Sequence, residues 1–376
     1  MYSENTNQRY QRQILLKEFG EAAQNKLGQA KVLVIGAGGL GCPALQYLAA
    51  AGVGTIGIID FDTIDLSNLQ RQVLYSTHDI GKSKVDTAIL KLKALNPEIQ
   101  VNGFPIRITN QNALELVRNY DLVIDGTDNF PTRYLINDAC VLLNKPLVYG
   151  AVLRFEGQVG VLNLADPITN IKTNYRDLFP EPPDASSSPS CHEAGVLGVL
   201  PGIIGLMQAT EAIKIITGIG KSLSNKIVSY NALENTFYDF QISSTQKSRK
   251  LIPFDELSFS NFNYEWFCNG SSNAPEISVE EFDALRVSEL ITIIDVREKG
   301  ELPTVLEFPC KNLPLGELET FLPTLNTVNK IVLFCKSGSR SVKALKIVKA
   351  KFPHSEAFSL AGGIEAWKKY NFKMTS

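Results

Sequence analysis

The sequence predicts a two-domain α/β chain whose first domain is built on a mostly parallel sheet and whose second is a smaller α/β unit. Three observations carry this. At 376 residues the chain exceeds the size at which a single core stops growing. An apolar run over residues 32–35 leads into Gly36-Ala37-Gly38-Gly39-Leu40-Gly41, a helical stretch and a second apolar run, which together make one βαβ unit. The alternation then lapses in an aromatic, aperiodic segment and begins afresh near Ile277.

Taken in order, residues 32–35 read as a buried strand, and Pro43 in the first turn after the glycines suits a helix start. That helix runs to about Ala51, and the next strand, 55–60, ends on Asp60. Helical periodicity returns over 82–95 and 112–118, while 121–125 and 146–149 are short apolar runs bounded by polar or glycine residues, hence strands. Residues 180–190 are crowded with proline and serine, which disfavours regular structure and predicts a mobile loop leading to Cys191. The most apolar stretch, 196–209, holds Pro201 and three glycines and runs into Glu211 and Lys214. It falls short of the roughly 20 residues of a membrane span and reads as a buried helix.

The first domain spans 1–242 on this reading. A connector, 243–274, carries Phe254, Phe259, Phe262, Tyr264, Trp266 and Phe267, too many aromatics for a flexible linker, so it is expected to pack on a domain. The second domain, 275–376, shows strands at 291–296 and 331–334, a helix at 341–350 and a last helix at 364–370.

A net charge of −2 offers no basic face for nucleic acid. Six cysteines (Cys42, Cys140, Cys191, Cys268, Cys310, Cys335) lie scattered without short paired spacings, which suits free thiols in a reducing compartment better than a disulfide framework. Residues 1–12 are polar and lack the parts of a signal peptide, so a cytoplasmic protein is expected, with no membrane partner.

Gly36, Gly38 and Gly41 fit G-x-G-x-x-G, with Gly39 between them, where missing side chains let backbone N–H groups and a helix N-terminus approach phosphate. Asp60, at a strand end about twenty residues on, is placed to bind a ribose hydroxyl. Taken alone this pattern means NAD. Other residues reverse that preference: Asn68 and Arg71 follow the Asp60 strand, Lys84 opens the next helix, and Asp128 lies just beyond another strand. Parallel strands place their carboxyl ends on one edge, so these cations and this carboxylate can converge above the glycine loop, as a triphosphate requires and a dinucleotide does not. Singly, Arg71 and Lys84 also read as solvated surface cations and Asp128 as a helix N-cap.

The run of motifs over about residues 9–240 resembles the MoeB/ThiF branch of the ubiquitin-activating enzyme superfamily. It rests on Arg9-Tyr10-Gln11-Arg12-Gln13, the glycine loop, Ala50-Ala51-Gly52-Val53-Gly54, Ser67-Asn68-Leu69-Gln70-Arg71-Gln72, Asp125-Gly126-Thr127-Asp128-Asn129 and Gly195-Val196-Leu197-Gly198-Val199-Leu200-Pro201-Gly202. The resemblance implies a Rossmann-like adenylation domain using ATP and Mg²⁺. Asp60 would bind ribose, Asn68, Arg71 and Lys84 the phosphates, and Asp128 the Mg²⁺, with Arg12 reaching across from a partner subunit of a homodimer. The implied partner is a ubiquitin-like sulfur carrier protein of the MoaD/ThiS type, whose C-terminal Gly-Gly carboxylate is adenylated. The physics agrees, since in-line attack on an α-phosphate needs spread negative charge neutralised as pyrophosphate leaves.

Family members place a cysteine where Cys191 stands. The resemblance implies that it resolves an acyl-disulfide or forms its own link to the activated carrier, and His192 beside it in sequence would raise its thiolate fraction. A spectator cysteine is the plainer alternative. Many relatives bind structural zinc through two Cys-x-x-Cys pairs. This chain has Asn174-Tyr175-Arg176-Asp177 at the first position and no such pair over 237–250, so no zinc is expected. Packing by the aromatic connector is one candidate for its replacement.

Cys335-Lys336-Ser337-Gly338-Ser339-Arg340 follows an apolar strand and precedes a helix, so backbone N–H groups can encircle the Cys335 sulfur and stabilise a thiolate or persulfide anion. The same cradle suits the phosphate of a phosphatase, against which its short length argues. Through Asp295-Val296-Arg297-Glu298, Asn312-Leu313-Pro314-Leu315, this loop and Leu360-Ala361-Gly362-Gly363-Ile364-Glu365-Ala366-Trp367, the region resembles a rhodanese domain. That resemblance implies a persulfide on Cys335, with Arg340 orienting the loop and Asp295 helping to anchor it. The usual His-Ile-Pro-Gly segment is replaced by a shortened stretch, 301–311, so recognition of the sulfur donor, such as a cysteine desulfurase, is expected to differ.

The sequence thus points to carrier adenylation followed by persulfide transfer, for molybdopterin synthesis in the first place, with thiamine synthesis and tRNA thiolation as other pathways. An NAD oxidoreductase and a non-catalytic carrier-binding scaffold stand as the rival readings.

Overall fold

The computed structural model describes residues 4–180, 182, 194–269, 275–288, 290–325, 329–352 and 355–374. They divide into two compact units, one reaching to Tyr264 and the other beginning at Glu265.

The first unit is organised by an eight-stranded sheet: β1 Lys31–Ile35, β2 Thr55–Ile59, β3 Gln100–Phe104, β4 Leu122–Asp125, β5 Leu147–Leu153, β6 Glu156–Leu162, β7 Lys226–Asn231 and β8 Thr236–Gln241, in the order β3-β2-β1-β4-β5-β6-β7-β8. The first five are parallel, with Val32 opposite both Ile56 and Leu122. From β5 onward the pairing turns antiparallel, a half of the sheet that the sequence reading did not resolve. Val32, Val34, Ile56, Ile58 and Ile124 are buried in a common core, the near-continuous apolar runs expected of parallel strands covered on both faces.

Helix Gly41–Ala51 ends on left-handed Gly52 (φ 86°), against which the buried Tyr10 ring of helix Glu4–Ile14 packs. Helix Val199–Thr217 is longer than the apolar stretch at 196–209 suggests and, by length and composition alone, could cross a membrane. Ala209, Glu211 and Ala212 continue its buried face, however, and Gln208 donates to Asp125 O at 2.7 Å and Val148 O at 3.2 Å. A core helix must satisfy the polar groups at sheet ends, and Gln208 does so here.

The part of the connector up to Tyr264 packs on the first unit, and the division between the two units falls at Tyr264/Glu265, within the stretch 243–274. Thr245 caps helix Gln246–Leu251, Asp255 caps helix Glu256–Asn261, Phe259 is fully buried, and Asn110 Nδ2 donates to the carbonyls of Ser260 (2.6 Å) and Phe262 (3.0 Å).

The second unit has an all-parallel five-stranded sheet: β9 Glu276–Ile277, β10 Ile291–Asp295, β11 Lys311–Asn312, β12 Lys330–Phe334 and β13 Ala357–Leu360, in the order β11-β10-β12-β13-β9. Phe308 meets Phe282, Phe334 and Trp367 edge-on at centroid distances of 5.3, 5.8 and 5.0 Å, and Trp367 Nε1 donates to Asp283 Oδ1 at 3.0 Å.

Candidate active site

A cavity of about 870 Å³ opens at the carboxyl edge of the parallel strands of the first unit. Gly36, Gly38, Gly39, Asp60, Asn68, Arg71, Lys84 and Asp128 all line it. Their convergence follows from topology: the glycine loop, Asp60 and Asp128 stand just past parallel strands, Asn68 and Arg71 lie at and after the short helical turn Leu66–Asn68 that follows, and Lys84 opens the next helix.

The glycine loop is tight. Gly36 has φ 94°, and a Cβ there would lie 2.6 Å from Gly126 O; one on Gly41 would lie 1.9 Å from Gly36 O. A Cβ on Gly39 would lie 3.0 Å from Pro201 Cβ, with Arg71 Cδ at 3.5 Å. Gly36 and Gly41 therefore set the turn, while Gly39 admits the close approach of Pro201. Gly41 itself does not line the cavity among the described residues.

Asp60 is fixed by two backbone donors, Ala37 N–H to Oδ2 at 2.8 Å and Asp62 N–H to Oδ1 at 2.9 Å. Each carboxylate oxygen keeps a further lone pair for a ribose hydroxyl. Burial raises its pKa, against the opposing pull of Lys84 and these N–H groups. Lys84 is 5 % exposed, with its ammonium 2.9 Å from Asp62 Oδ2. Asn68 closes a capping box with Asp65, and Arg71 donates to Ser67 O at 3.0 Å.

Asp128 lies exposed at the cavity one residue before Asn129, the cap of helix Phe130–Leu142. The cap at this helix is thus Asn129, accepting from Thr132 N–H at 3.0 Å, rather than Asp128. One carboxylate beside a triphosphate suits Mg²⁺, which takes one or two carboxylates with phosphate oxygens and water. Sequence reasoning missed Arg133, which lines the cavity, donates to Asp125 Oδ2 (3.2 Å) and Thr127 O (3.0 Å), and lies 5.2 Å over the Tyr149 ring. Arginines on helices are ordinarily solvated, and nothing in its spacing marks it as buried. Asp62, Tyr149, Gln158 and Tyr175, also on the wall, were missed for the same want of pattern.

Arg12 lies exposed on helix Glu4–Ile14 and does not line this cavity. Cys191 and His192 fall outside the described residues.

Among the described residues no group of three or more His, Cys, Asp or Glu could hold a metal. At the positions where the sequence reading found no Cys-x-x-Cys pairs, Asp177 Oδ1 accepts the Thr245 N–H at 2.8 Å and the Ser248 hydroxyl. This hard-oxygen, hydroxyl-bearing set does not fit structural zinc, which takes thiolate and imidazole.

In the second unit Cys335 directly follows β12 and is fully buried. Gly338 N–H donates to its Sγ at 3.2 Å and the Ser341 hydroxyl lies at 3.6 Å, itself 2.9 Å from the Ser359 hydroxyl. Gly338 (φ 104°) turns the loop, and a Cβ on Gly363 (φ 63°) would strike Cys335 O at 2.5 Å. Burial alone would raise the thiol pKa, but the Ser341 N–H and hydroxyl and the Ser337 and Gly338 N–H groups outweigh it and hold it below its ordinary value. Arg340 pairs through both terminal nitrogens with Glu301, a residue sequence reasoning did not single out. Asp295 binds Arg297 in the same forked manner, at 2.8 and 2.6 Å, so its link to the loop is one of strand pairing, Asp295 lying opposite Phe334.

A nucleotide cradle joined in one chain to a sulfur-anion loop defines an adenylating enzyme with a sulfurtransferase module. The comparisons agree. Residues 10–251 match the ThiF family model and 278–370 the rhodanese-like domain model. The chain is 43 % identical over 380 residues to the probable adenylyltransferase/sulfurtransferase MoeZ of Mycobacterium tuberculosis, covering 96 % of this chain and 92 % of that one. It is 37 % identical over 377 residues to the adenylyltransferase and sulfurtransferase MOCS3 of Drosophila sechellia, covering 96 % and 82 %. Over 229 residues it is 52 % identical to the sulfur carrier protein adenylyltransferase of Thermus thermophilus, covering 61 % and 84 %. Among solved structures, crystalline PaaA superposes with a TM-score of 0.55 at 26 % identity over 65 % of this chain and 76 % of that one. The chain belongs to the ThiF family and carries a C-terminal rhodanese-like domain. It is an ATP-dependent adenylyltransferase with sulfurtransferase activity.

Proposed function

We propose that the chain adenylates the C-terminal Gly-Gly carboxylate of a ubiquitin-like sulfur carrier and converts it to a thiocarboxylate with sulfur carried on Cys335. The observation that carries this is the single cavity in which Asp60, Asn68, Arg71, Lys84 and Asp128 meet the glycine loop. An NAD site needs the glycines and the acid; the added cations and second carboxylate fit a triphosphate.

On this reading the carrier carboxylate attacks the α-phosphorus of ATP in line and pyrophosphate leaves. Arg71 and Lys84 neutralise the leaving charge, Asn68 donates to phosphate oxygen, and Asp60 holds the ribose. Asp128 would hold Mg²⁺, which when bound shares the charge of the phosphate oxygens. The mixed anhydride is a far better electrophile than the carboxylate. The terminal sulfur of a Cys335 persulfide attacks its carbonyl carbon, expelling AMP and leaving an acyl-disulfide. Attack on Cys335 Sγ by the Cys191 thiolate then releases the thiocarboxylate and leaves a Cys191–Cys335 disulfide, which an external thiol reduces.

The persulfide is supplied by a donor of the cysteine desulfurase class, and molybdopterin synthesis is the favoured pathway, to which the name of the MOCS3 relative lends support. A cytoplasmic homodimer completes the reading, with Arg12 entering the partner's cavity. Incubating the chain with ATP, Mg²⁺, a persulfide source and a panel of carriers tests it. One carrier should gain the mass of a sulfur replacing an oxygen, and no carrier so modified would contradict it.

A further inference from the structure

Tyr175 and Phe179, which line the cavity at the two ends of the short helix Tyr175–Leu178, are held from two sides. From helix Phe130–Leu142, Asn137 Oδ1 accepts the Tyr175 N–H at 2.7 Å and the Tyr134 hydroxyl donates to Phe179 O at 2.8 Å. From the connector, Thr245 and Ser248 bind Asp177, and the Tyr264 hydroxyl donates to Asp138 Oδ2 at 3.0 Å. That carboxylate also takes two bonds from Arg176, at 2.9 and 2.6 Å, and both side chains are wholly buried. The Arg176 guanidinium lies 5.4 Å over the Phe262 ring, which sits 4.6 Å from the Tyr264 ring.

Arg176 is next in the chain to Tyr175, whose ring packs against Tyr134, Tyr149 and Phe179 at 5.0, 5.6 and 5.2 Å. Tyr149, Gln158, Tyr175 and Phe179 line the cavity along β5 and β6, on the far side of β4 from the Asp60 strand. The nucleotide end is marked by the glycine loop, Asp60 and Lys84, so this wall faces what lies beyond the α-phosphate, namely the acyl tail.

We infer that Tyr264 is a positioning residue for adenylation: through the buried Asp138–Arg176 pair it fixes Tyr175 and Phe179 as the wall that receives the carrier tail. The stretch between the domains is therefore part of the adenylation site rather than a tether. The inference rests on the carrier-adenylation reading above.

The test is carrier-dependent ATP–pyrophosphate exchange by the full chain, wild type against Tyr264→Phe, with carrier and ATP titrated separately. Phenylalanine keeps the ring and removes one hydrogen bond to a buried charge. The KM for carrier should rise about five- to tenfold while the KM for ATP stays within about twofold. Ser248→Ala, which loosens Asp177 from the other end of the clip, should move the carrier KM the same way by less. Unchanged KM values in both variants, or equal rises for carrier and ATP, would overturn the inference. Wild-type chain that exchanges with no carrier would instead remove the reading beneath it, and the inference with it.

Discussion

Lys84 Nζ stands 2.9 Å from Asp62 Oδ2, and Asp62 through its own N–H holds Asp60 at 2.9 Å. The cation proposed for phosphate and the acid proposed for ribose are thus joined by one intervening residue. The Lys84 side chain is 6 % exposed whereas Asp62 is 48 % exposed, so the carboxylate can yield to solvent while the ammonium stays aimed into the cavity. Lys84→Met should lower pyrophosphate exchange by about a hundredfold or more, the usual loss for a preorganised charge-stabilising group. Asp62→Asn should change the KM for ATP by only a few-fold, since its pair is half in water. Steady-state exchange kinetics on both variants check this.

The hydrogen bonds around Cys335 make a second prediction. Iodoacetamide should alkylate it with a half-maximal pH below that of an ordinary thiol, because Ser341, Ser337 and Gly338 favour the thiolate. Ser341→Ala removes one donor and should move the midpoint up by about one unit. A pH–rate profile of alkylation, with Cys335 modification read by mass, decides the matter.

Asp138 and Arg176 are both 0 % exposed, so removing one leaves the other charged and buried. Asp138→Ala should cost about 3–5 kcal/mol. For a unit of this size that is a fall in melting temperature of about 6–20 °C, measurable by calorimetry.

The Arg340 guanidinium beside Glu301 holds that carboxyl down to about 2, from an ordinary 4.5. A depressed carboxylate stabilises fully above its unfolded value, and that contribution is lost as pH falls through the window between the two. Urea midpoints of the wild type should therefore drop between pH about 5 and about 2.5 by more than those of Glu301→Gln, in which this contribution is absent.

Much of the first unit was legible because its signals are local. The glycine loop, Pro43 and the spacing to Asp60 form one contiguous βαβ unit, and the rule that parallel strands end on one edge places Asn68, Arg71, Lys84 and Asp128 around one cavity. The antiparallel strands β6 to β8 were not legible, since their pairing depends on long-range register rather than on period. Arg133 and Glu301 were missed because only their partners, Asp125 and Arg340, reveal what they do. The connector was legible as packed from its aromatics, but not Tyr264's reach to Asp138, 126 positions away.

The measurement that bears most directly on the account is carrier-dependent ATP–pyrophosphate exchange with Mg²⁺, run on the wild type and on Asp128→Ala across a panel of ubiquitin-like carriers. The account predicts exchange with at least one carrier and its loss in the variant, with the fold retained by circular dichroism. ATP binding without exchange for any carrier would contradict it and leave a scaffold that holds the carrier without activating it.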